Sequence, residues 1–410
     1  MKGYDDDLGP GWAARLDAPG RHQHRRRRLL HTWLPVWWLG LLLVSACGPS
    51  AASYLELGRQ EQAAGRAEEA LEAYGKAIEL DSNLASAYQG RAEVYLELLD
   101  DPGAALVDFD QAIRLDAASA PALLNRGVAL GRLGRIQEAL NDFDRAIELD
   151  PDFMLVFVNR GVLLYFALGD LQGGLRDLNR ALELDPRNAK ALANRGNVHD
   201  LLGDASSAIA DYDEAIRLDP GYAFAYHNRG VAYVHLGEHE RALQDFNRAI
   251  ELDPEYPEAY RNRGALNGRL GDAEAALADF NRSIELDETD PAAFSGRGHA
   301  YAQLQDWAAA LGDFSRSIEL DGTDPAGFSG RGHAYARLRD WAAALEDFNR
   351  CLELDPSFEQ AYLLRAFTHE ELGNPDAAIS DYLRFLELHT AHDQTWSIAR
   401  ERLEVLGGQP

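Results

Sequence analysis

The sequence predicts an all-α solenoid, and three observations carry that reading. First, residues 223–256 read AFAYHNRGVAYVHLGEHERALQDFNRAIELDPEY, and the chain restates this stretch almost from end to end. Its Gly230 returns at Gly127, Gly161, Gly196, Gly264, Gly298 and Gly332, in steps of 34 or 35 residues. Gly58 extends the register, and Ala92 and Ala366 hold the same place in two weaker copies. A fixed period of this length marks stacked supersecondary units rather than one globular core. Second, each repeat carries two apolar stripes at helical spacing. Tyr226, Gly230 and Tyr233 share one helix face, and Ala242, Phe246 and Ala249 share another. Third, breakers separate the stripes. Gly237 suits a left-handed helix cap, and Pro254 removes a backbone donor after the second helix.

The set Tyr226, Gly230, Tyr233, Ala242, Phe246, Ala249 and Pro254 resembles the tetratricopeptide repeat (TPR), a helix-turn-helix unit. The resemblance implies a right-handed superhelical solenoid of about ten units with a C-terminal capping helix. It also implies a concave groove lined by first helices. Gly230 and Ala242 are small, so the two helices can approach closely, and Phe246 fills the space between them.

A chain of 410 residues would ordinarily hold two or three globular domains. The period overrides that expectation, because a solenoid grows by stacking. The net charge is −27. Residues 1–46 contribute +3, so the remainder carries −30. Such a surface repels phosphates and argues against a nucleic-acid partner. It favours solubility and basic partners, although a solvated outer face accounts for most of it. The two cysteines, Cys47 and Cys351, exclude a disulfide framework. Cys351 stands where Ala146, Ala181 and Ala249 stand in other repeats, so it is expected to be a small buried residue.

Residues 1–24 show no periodicity and are expected to be disordered, or to lie upstream of the true start. Arg25, Arg26, Arg27 and Arg28 then precede an apolar run at 29–46. Basic residues before a short apolar segment read as a secretory signal. The run ends Val44-Ser45-Ala46-Cys47, which resembles the lipobox of bacterial lipoproteins. That resemblance implies cleavage before Cys47 and acylation of its thiol. Gly48 follows, rather than the Asp of an inner-membrane retention signal. An outer-membrane destination is therefore implied where the cell has an outer membrane. The alternative is a single uncleaved membrane anchor. Its apolar run is interrupted by His31 and Pro35 and is short against the ~20 residues a spanning helix needs. The Arg run with Leu29 and Leu30 also resembles a twin-arginine signal.

The expected domains are a disordered and signal segment at 1–46, a solenoid at 47–392 and a capping helix at 393–410. Ten repeats start at 51, 85, 120, 154, 189, 223, 257, 291, 325 and 359. The second and fourth carry one extra residue in the inter-helix turn. The eighth and ninth are near duplicates: 294–301 matches 328–335 residue for residue. In the fourth, Gly173 and Gly174 are expected to break the second helix. Trp396, Ile398, Ala399, Leu403 and Leu406 suit a final amphipathic helix, the cap that keeps a solenoid soluble.

Comparison of repeats within the chain exposes paired charges. Counting from Ala223 as position 1, position 7 is Arg in repeats two to ten, and position 23 is Asp in the same nine. Repeat one has Leu57 and Ala73 instead. Position 31 is Asp in repeats one to nine, and His389 in repeat ten. Each Arg is therefore expected to span two carboxylates: its own repeat's position 23 and the previous repeat's position 31. A planar guanidinium with five donors suits that role.

Position 6 is Asn in five successive repeats: Asn125, Asn159, Asn194, Asn228 and Asn262. Asn costs several tenths of a kcal/mol against Ala inside a helix. An amide both donates and accepts, so a stacked row could pair with the backbone of an extended peptide. The row is similar to the asparagine ladder of the O-linked N-acetylglucosamine transferase, which grips peptide backbone. Copied ancestry and bonds to neighbouring repeats are the competing explanations. The row stops at Gly296 and Gly330.

No catalytic constellation emerges. His299 and His333 share position 9 on the groove face. Helices pack 8–10 Å apart, so they are poorly placed to share one zinc. His227 and His235 are likewise an unconvincing pair. No phosphate loop or nucleophile elbow is present. The sequence therefore predicts a non-enzyme with no cofactor and no metal. The expected function is a membrane-tethered adaptor that binds extended peptide segments of other proteins in its groove. The alternative is an envelope module for a small ligand such as a peptidoglycan fragment.

Overall fold

A computed structural model describes residues 49–391 and 393–407. The basic run, the apolar segment and Cys47 lie outside the described residues. Among the described residues all regular secondary structure is helical, in 21 helices. They fall into two compact units divided after Pro220.

The first unit stacks five helix pairs. These are Ala51–Ala63 with Ala67–Leu80, Ala85–Glu97 with Pro102–Leu115, Ala120–Arg132 with Ile136–Leu149, Met154–Ala167 with Leu171–Leu184, and Ala189–Leu201 with Ala205–Leu218. The second unit holds Ala223–His235 with His239–Leu252, Pro257–Arg269 with Ala273–Leu286, Pro291–Gln303 with Trp307–Leu320, Pro325–Arg337 with Trp341–Leu354, and Glu359–Glu371 with Pro375–Leu388. The helix Gln394–Val405 follows. No described helix is long and apolar enough to cross a membrane.

Local chemistry places these boundaries. Where Asp is the N-cap of the second helix it accepts from the backbone three residues on, as Asp204 does from Ser207 at 3.0 Å. That satisfies an orphan amide at the helix start. The inter-helix turn needs a residue at positive φ, and Gly237 supplies it at 74°. Gln305 and Arg339 occupy the same turn at 63° and 65° without being glycine.

Each repeat centres on one side chain at position 24. Tyr74, Phe109, Phe143, Leu178, Tyr212, Phe246, Phe280, Phe314, Phe348 and Tyr382 are all buried. Burying such a side chain contributes about 1.5–3 kcal/mol. Cys351 is fully buried in this layer, as the comparison of repeats predicts, and burial pushes its thiol up to about 12. The predicted break at Gly173 and Gly174 is not present: Leu171–Leu184 runs uninterrupted. The Asp170 side chain caps Gly173 at 2.8 Å. A Cβ on Gly174 would meet Tyr165 Cβ at 2.8 Å and the Gly161 carbonyl at 3.0 Å. The glycine admits close approach of the two helices instead of ending one.

The predicted arginine lattice is half right. In all nine repeats that carry the pair, Arg donates through Nε and Nη2 to both oxygens of its own position-23 Asp, at 2.5–2.9 Å. Where position 4 is aromatic the same guanidinium lies over its ring one turn earlier, as Arg263 does over Tyr260 at 5.6 Å; repeats three and five have Leu123 and Leu192 there. The second partner differs from the expectation. Nη1 reaches position 25 of the previous repeat: Arg126 to Asp110 at 2.8 Å, Arg160 to Asp144 at 2.5 Å, Arg195 to Asn179 at 2.9 Å and Arg263 to Asn247 at 2.6 Å. Position 31 has another task. Asp150 accepts from the Asp152 amide at 3.1 Å and Asp185 from the Arg187 amide at 3.0 Å, closing the turn between repeats. A carboxylate that bonds the amide two residues on holds an Asx-turn, and that is the contact position 31 makes in place of the fork.

Repeat ten ends differently. His389 Nδ1 lies 2.9 Å from Glu359, and Nε2 lies 3.2 Å from Asp393. The ring stacks on Phe385. Asp393 caps the last helix through the Trp396 amide. Ala399 and Leu403 of that helix are buried against Tyr382 and Phe385, while Ile398 of the predicted apolar set is exposed.

Two outcomes follow from these joints. Gln305→Gly relieves a left-handed side-chain residue, a strain of about 1–2 kcal/mol that unfolded-state entropy offsets in part. Chemical denaturation should show a gain of about 0.5–1 kcal/mol; a loss would mean that Gln305 makes a contact worth more than the strain. The second outcome is a pH dependence. The Glu359 hydrogen bond, assisted by Asp393, raises His389 above its ordinary 6.5. Stability from a raised group is complete below the ordinary value and is lost as pH rises through the folded one. Exchange protection of 394–405, corrected for intrinsic rates, should therefore fall as pH climbs past that value, and His389→Gln should remove the dependence. Protection that ignores pH in the parent would contradict the assignment.

Candidate functional site

The repeat framework consumes positions 7, 20, 23 and 24. What remains for chemistry is the first-helix face at positions 5, 6, 9, 12 and 13. In the first compact unit this face is a hydrogen-bonded polar layer. Glu93 Oε1 accepts from Gln89 Nε2 at 2.9 Å and from Asn125 Nδ2 at 3.1 Å. Tyr74 OH donates to Gln62 at 2.6 Å. Further along, Tyr165 OH donates to Asn194 Oδ1 at 3.0 Å, and Tyr212 OH donates to Asn197 Oδ1 at 2.6 Å.

The five asparagines divide into two sets. Asn125, Asn159 and Asn194 are buried, and Asn228 and Asn262 are half-buried. Asn159, Asn194 and Asn228 each donate through Nδ2 to the carbonyl four residues earlier, at 2.9 Å. Such a bond leaves the second N–H of the amide in a fixed direction. Asn262 Nδ2 lies 3.0 Å from His227 Nε2, and Tyr256 OH lies 3.1 Å from His227 Nδ1. Gly296 and Gly330 interrupt the row for a packing reason. A Cβ on Gly296 would meet Phe280 at 2.4 Å, and one on Gly330 would meet Phe314 at 2.5 Å. The ring of the preceding repeat lies directly across the helix there.

The second compact unit holds a cavity of about 480 Å³ over repeats seven to nine. His299 and His333, singled out in the sequence, both line it, together with Trp307 and Arg269. Among the described residues no three His, Cys, Asp or Glu side chains converge to hold a metal. Desolvation lowers both histidines below their ordinary value, with His333 adding to the effect on His299 and Arg337 to that on His333. Trp307 and Arg269 were missed because each is unremarkable within its own repeat. Gly264, Gly268 and Gly296 line it too, but the small size of Gly264 and Gly296 admits the packing of Asp279 and the Phe280 ring.

A second missed pair is Arg261 with Asp290. Both are buried, 3.0 Å apart, and Asp290 also caps the next helix through the Ala292 amide. Arg stands at position 5 in this repeat alone, so comparison between repeats could not reveal it.

Stacked helical hairpins with a shared apolar layer define an α-helical repeat protein. Family models described as tetratricopeptide repeat match residues 120–153, 159–223, 211–244, 268–325, 325–358 and 359–390. One described as TPR repeat matches 58–98 and 232–271. These matches span well over half of the sequence, and the chain belongs to the tetratricopeptide-repeat proteins. No curated protein matches it. Among solved structures it is similar to a chain of the APC/C hetero-tetramer Cut9-Hcn1, at 18% identity and a TM-score of 0.58, covering 87% of this chain and 76% of that one. It is also similar to a tetratricopeptide repeat protein from Parabacteroides merdae ATCC 43184, at 22% identity and a TM-score of 0.46, covering 62% of this chain and 99% of that one. Yeast Tom70 matches at 17% identity and a TM-score of 0.43, covering 88% and 89%. At these identities the first likeness speaks for the fold alone.

Proposed function

We propose that this protein is a non-enzymatic interaction scaffold, tethered to a bacterial envelope membrane, that binds extended segments of other proteins along its first-helix face. One observation carries the reading. Positions 7 and 23 are the same in nine repeats and are consumed by internal bonds, whereas position 5 reads Val158, Ala193, His227, Arg261 and Ser295 in successive repeats. Position 9 varies as widely, through Val162, Asn197, Val231, Ala265 and His299. A varied face on a repeated frame suits the reading of a partner, and it offers no convergent acid, base or nucleophile for catalysis. In this reading the buried Asn125, Asn159 and Asn194 hold the face together. The half-buried Asn228 and Asn262 are the amides that a bound backbone reaches.

The tether rests on residues 25–47 alone. Arg25 to Arg28, the apolar run and Val44-Ser45-Ala46-Cys47 together support lipidation at Cys47, and Gly48 supports an outer-membrane destination where one exists.

Two experiments test the proposal. Capture from membrane extract with the full chain should recover a protein partner. Asn228→Ala with Asn262→Ala should then weaken its binding several-fold, since each net hydrogen bond contributes about 1 kcal/mol. Asn159→Ala should leave binding unchanged and lower stability instead. Unchanged affinity in the double variant would remove the amides from the binding face. For the tether, Cys47→Ser should accumulate unprocessed precursor without palmitate label; normal processing and labelling of that variant would refute lipidation.

A further inference from the structure

The scaffold reading leaves the copied histidines unexplained. They line the cavity of about 480 Å³ in the second compact unit, a size that suits a discrete ligand group. Its floor is the Phe280 ring, with the backbone of Gly264, Gly268 and Gly296 around it. Its wall is aromatic. Trp307 packs against His333 at 5.3 Å between centroids, and the Arg337 guanidinium lies 4.5 Å from the Trp307 ring centroid. His299 stands edge-on to Phe314 at 4.9 Å. The ionisable lining is wholly basic: Arg269, His299 and His333. No carboxylate lines this cavity, on a chain whose net charge is −27. An aromatic floor with an indole wall suits a flat apolar group, and the local reversal of charge suits an acidic neighbour.

We propose that this pocket receives an aromatic side chain flanked by carboxylates, presented by an extended segment of a protein partner. The proposal rests on the scaffold reading and names the partner chemistry of one part of that face. The ring lies over Phe280 against Trp307 and His333, and the flanking carboxylates meet Arg269 and the imidazoles. The groups facing the two imidazoles are each other, Trp307, Phe314, Arg337 and Arg269. Desolvation first, then His333 for His299 and Arg337 for His333, lowers both imidazoles below their ordinary value. An arriving carboxylate reverses that balance, so binding takes up protons and tightens as pH falls. Position 9 of the preceding repeat is Ala265, which is exposed at the cavity's edge. An indole there would fill the cavity without entering the core.

The test uses calorimetric titration of the full chain in detergent with three probes: acetyl-Glu-Phe-Glu-amide, acetyl-Lys-Phe-Lys-amide and acetyl-Glu-Ala-Glu-amide. The first should bind at least about tenfold more tightly than the other two, a 1.4 kcal/mol difference. Its affinity should rise between pH 8 and pH 6 with proton uptake, and His299→Ala with His333→Ala should abolish that rise. Ala265→Trp, checked for native helicity, should weaken binding at least about tenfold. Equal affinity for the three probes, or an Ala265→Trp variant that binds like the parent, overturns the pocket. If Ala265→Trp still captures the partner that the parent captures, the pocket falls and the scaffold reading stands. If no partner is captured but the acidic probe binds the parent and not the variant, the pocket stands and the scaffold reading falls.

Discussion

The structure depends on one interaction: an arginine fork that closes the helix pair in nine repeats and, at Arg126, Arg160, Arg195, Arg263, Arg297 and Arg365, also reaches the pair before it. The position-23 carboxylate is buried, so leaving it unpaired would be costly. The bidentate bond satisfies both of its oxygens. The remaining guanidinium nitrogen is then free to set a distance to the preceding repeat. Apolar burial is non-directional, whereas a planar donor held at three points fixes an orientation. The fork thus converts a stack of hairpins into one with a defined step, within each compact unit. Repeat one has neither Arg nor Asp, and Gly75 in it offers Arg91 no side chain, so Arg91 keeps only its own Asp108.

Much of this was legible in the sequence because ten copies can be compared with each other. Helix pairs, their apolar layer, the glycine turn and the fork's own-repeat partner all repeat as identical residue types. The fork's second partner was not legible, since position 25 is Asp110, Asp144, Asn179 and Asn247 in turn. What those residues share is an acceptor oxygen rather than an identity. Position 31 misled for the opposite reason: its Asp recurs because every inter-repeat turn needs the same side-chain acceptor. The glycines at 173 and 174 misled because helix propensity is weak against close packing. Single-copy features such as Arg261 with Asp290 left no pattern at all.

The same division separates frame from function. Residues that repeat are spent on bonds inside the protein. Residues that vary lie on the first-helix face, and the amide row sits between the two categories. Three of its members are buried in the frame and two are half-buried. Where Gly296 and Gly330 replace the amide, the preceding ring closes on the helix, and a basic, aromatic cavity opens beside it. A duplication that copied repeat eight into repeat nine would place a second histidine at that cavity in one event.

The central claim is that position 25, and not position 31, couples consecutive repeats. Double-mutant cycles read this directly, by measuring denaturation of Arg160→Met with Asp144→Ala and of Arg160→Met with Asp150→Ala. The account predicts a coupling of about 0.5–1 kcal/mol for the first pair and none beyond error for the second. Coupling to Asp150 with none to Asp144 would contradict it.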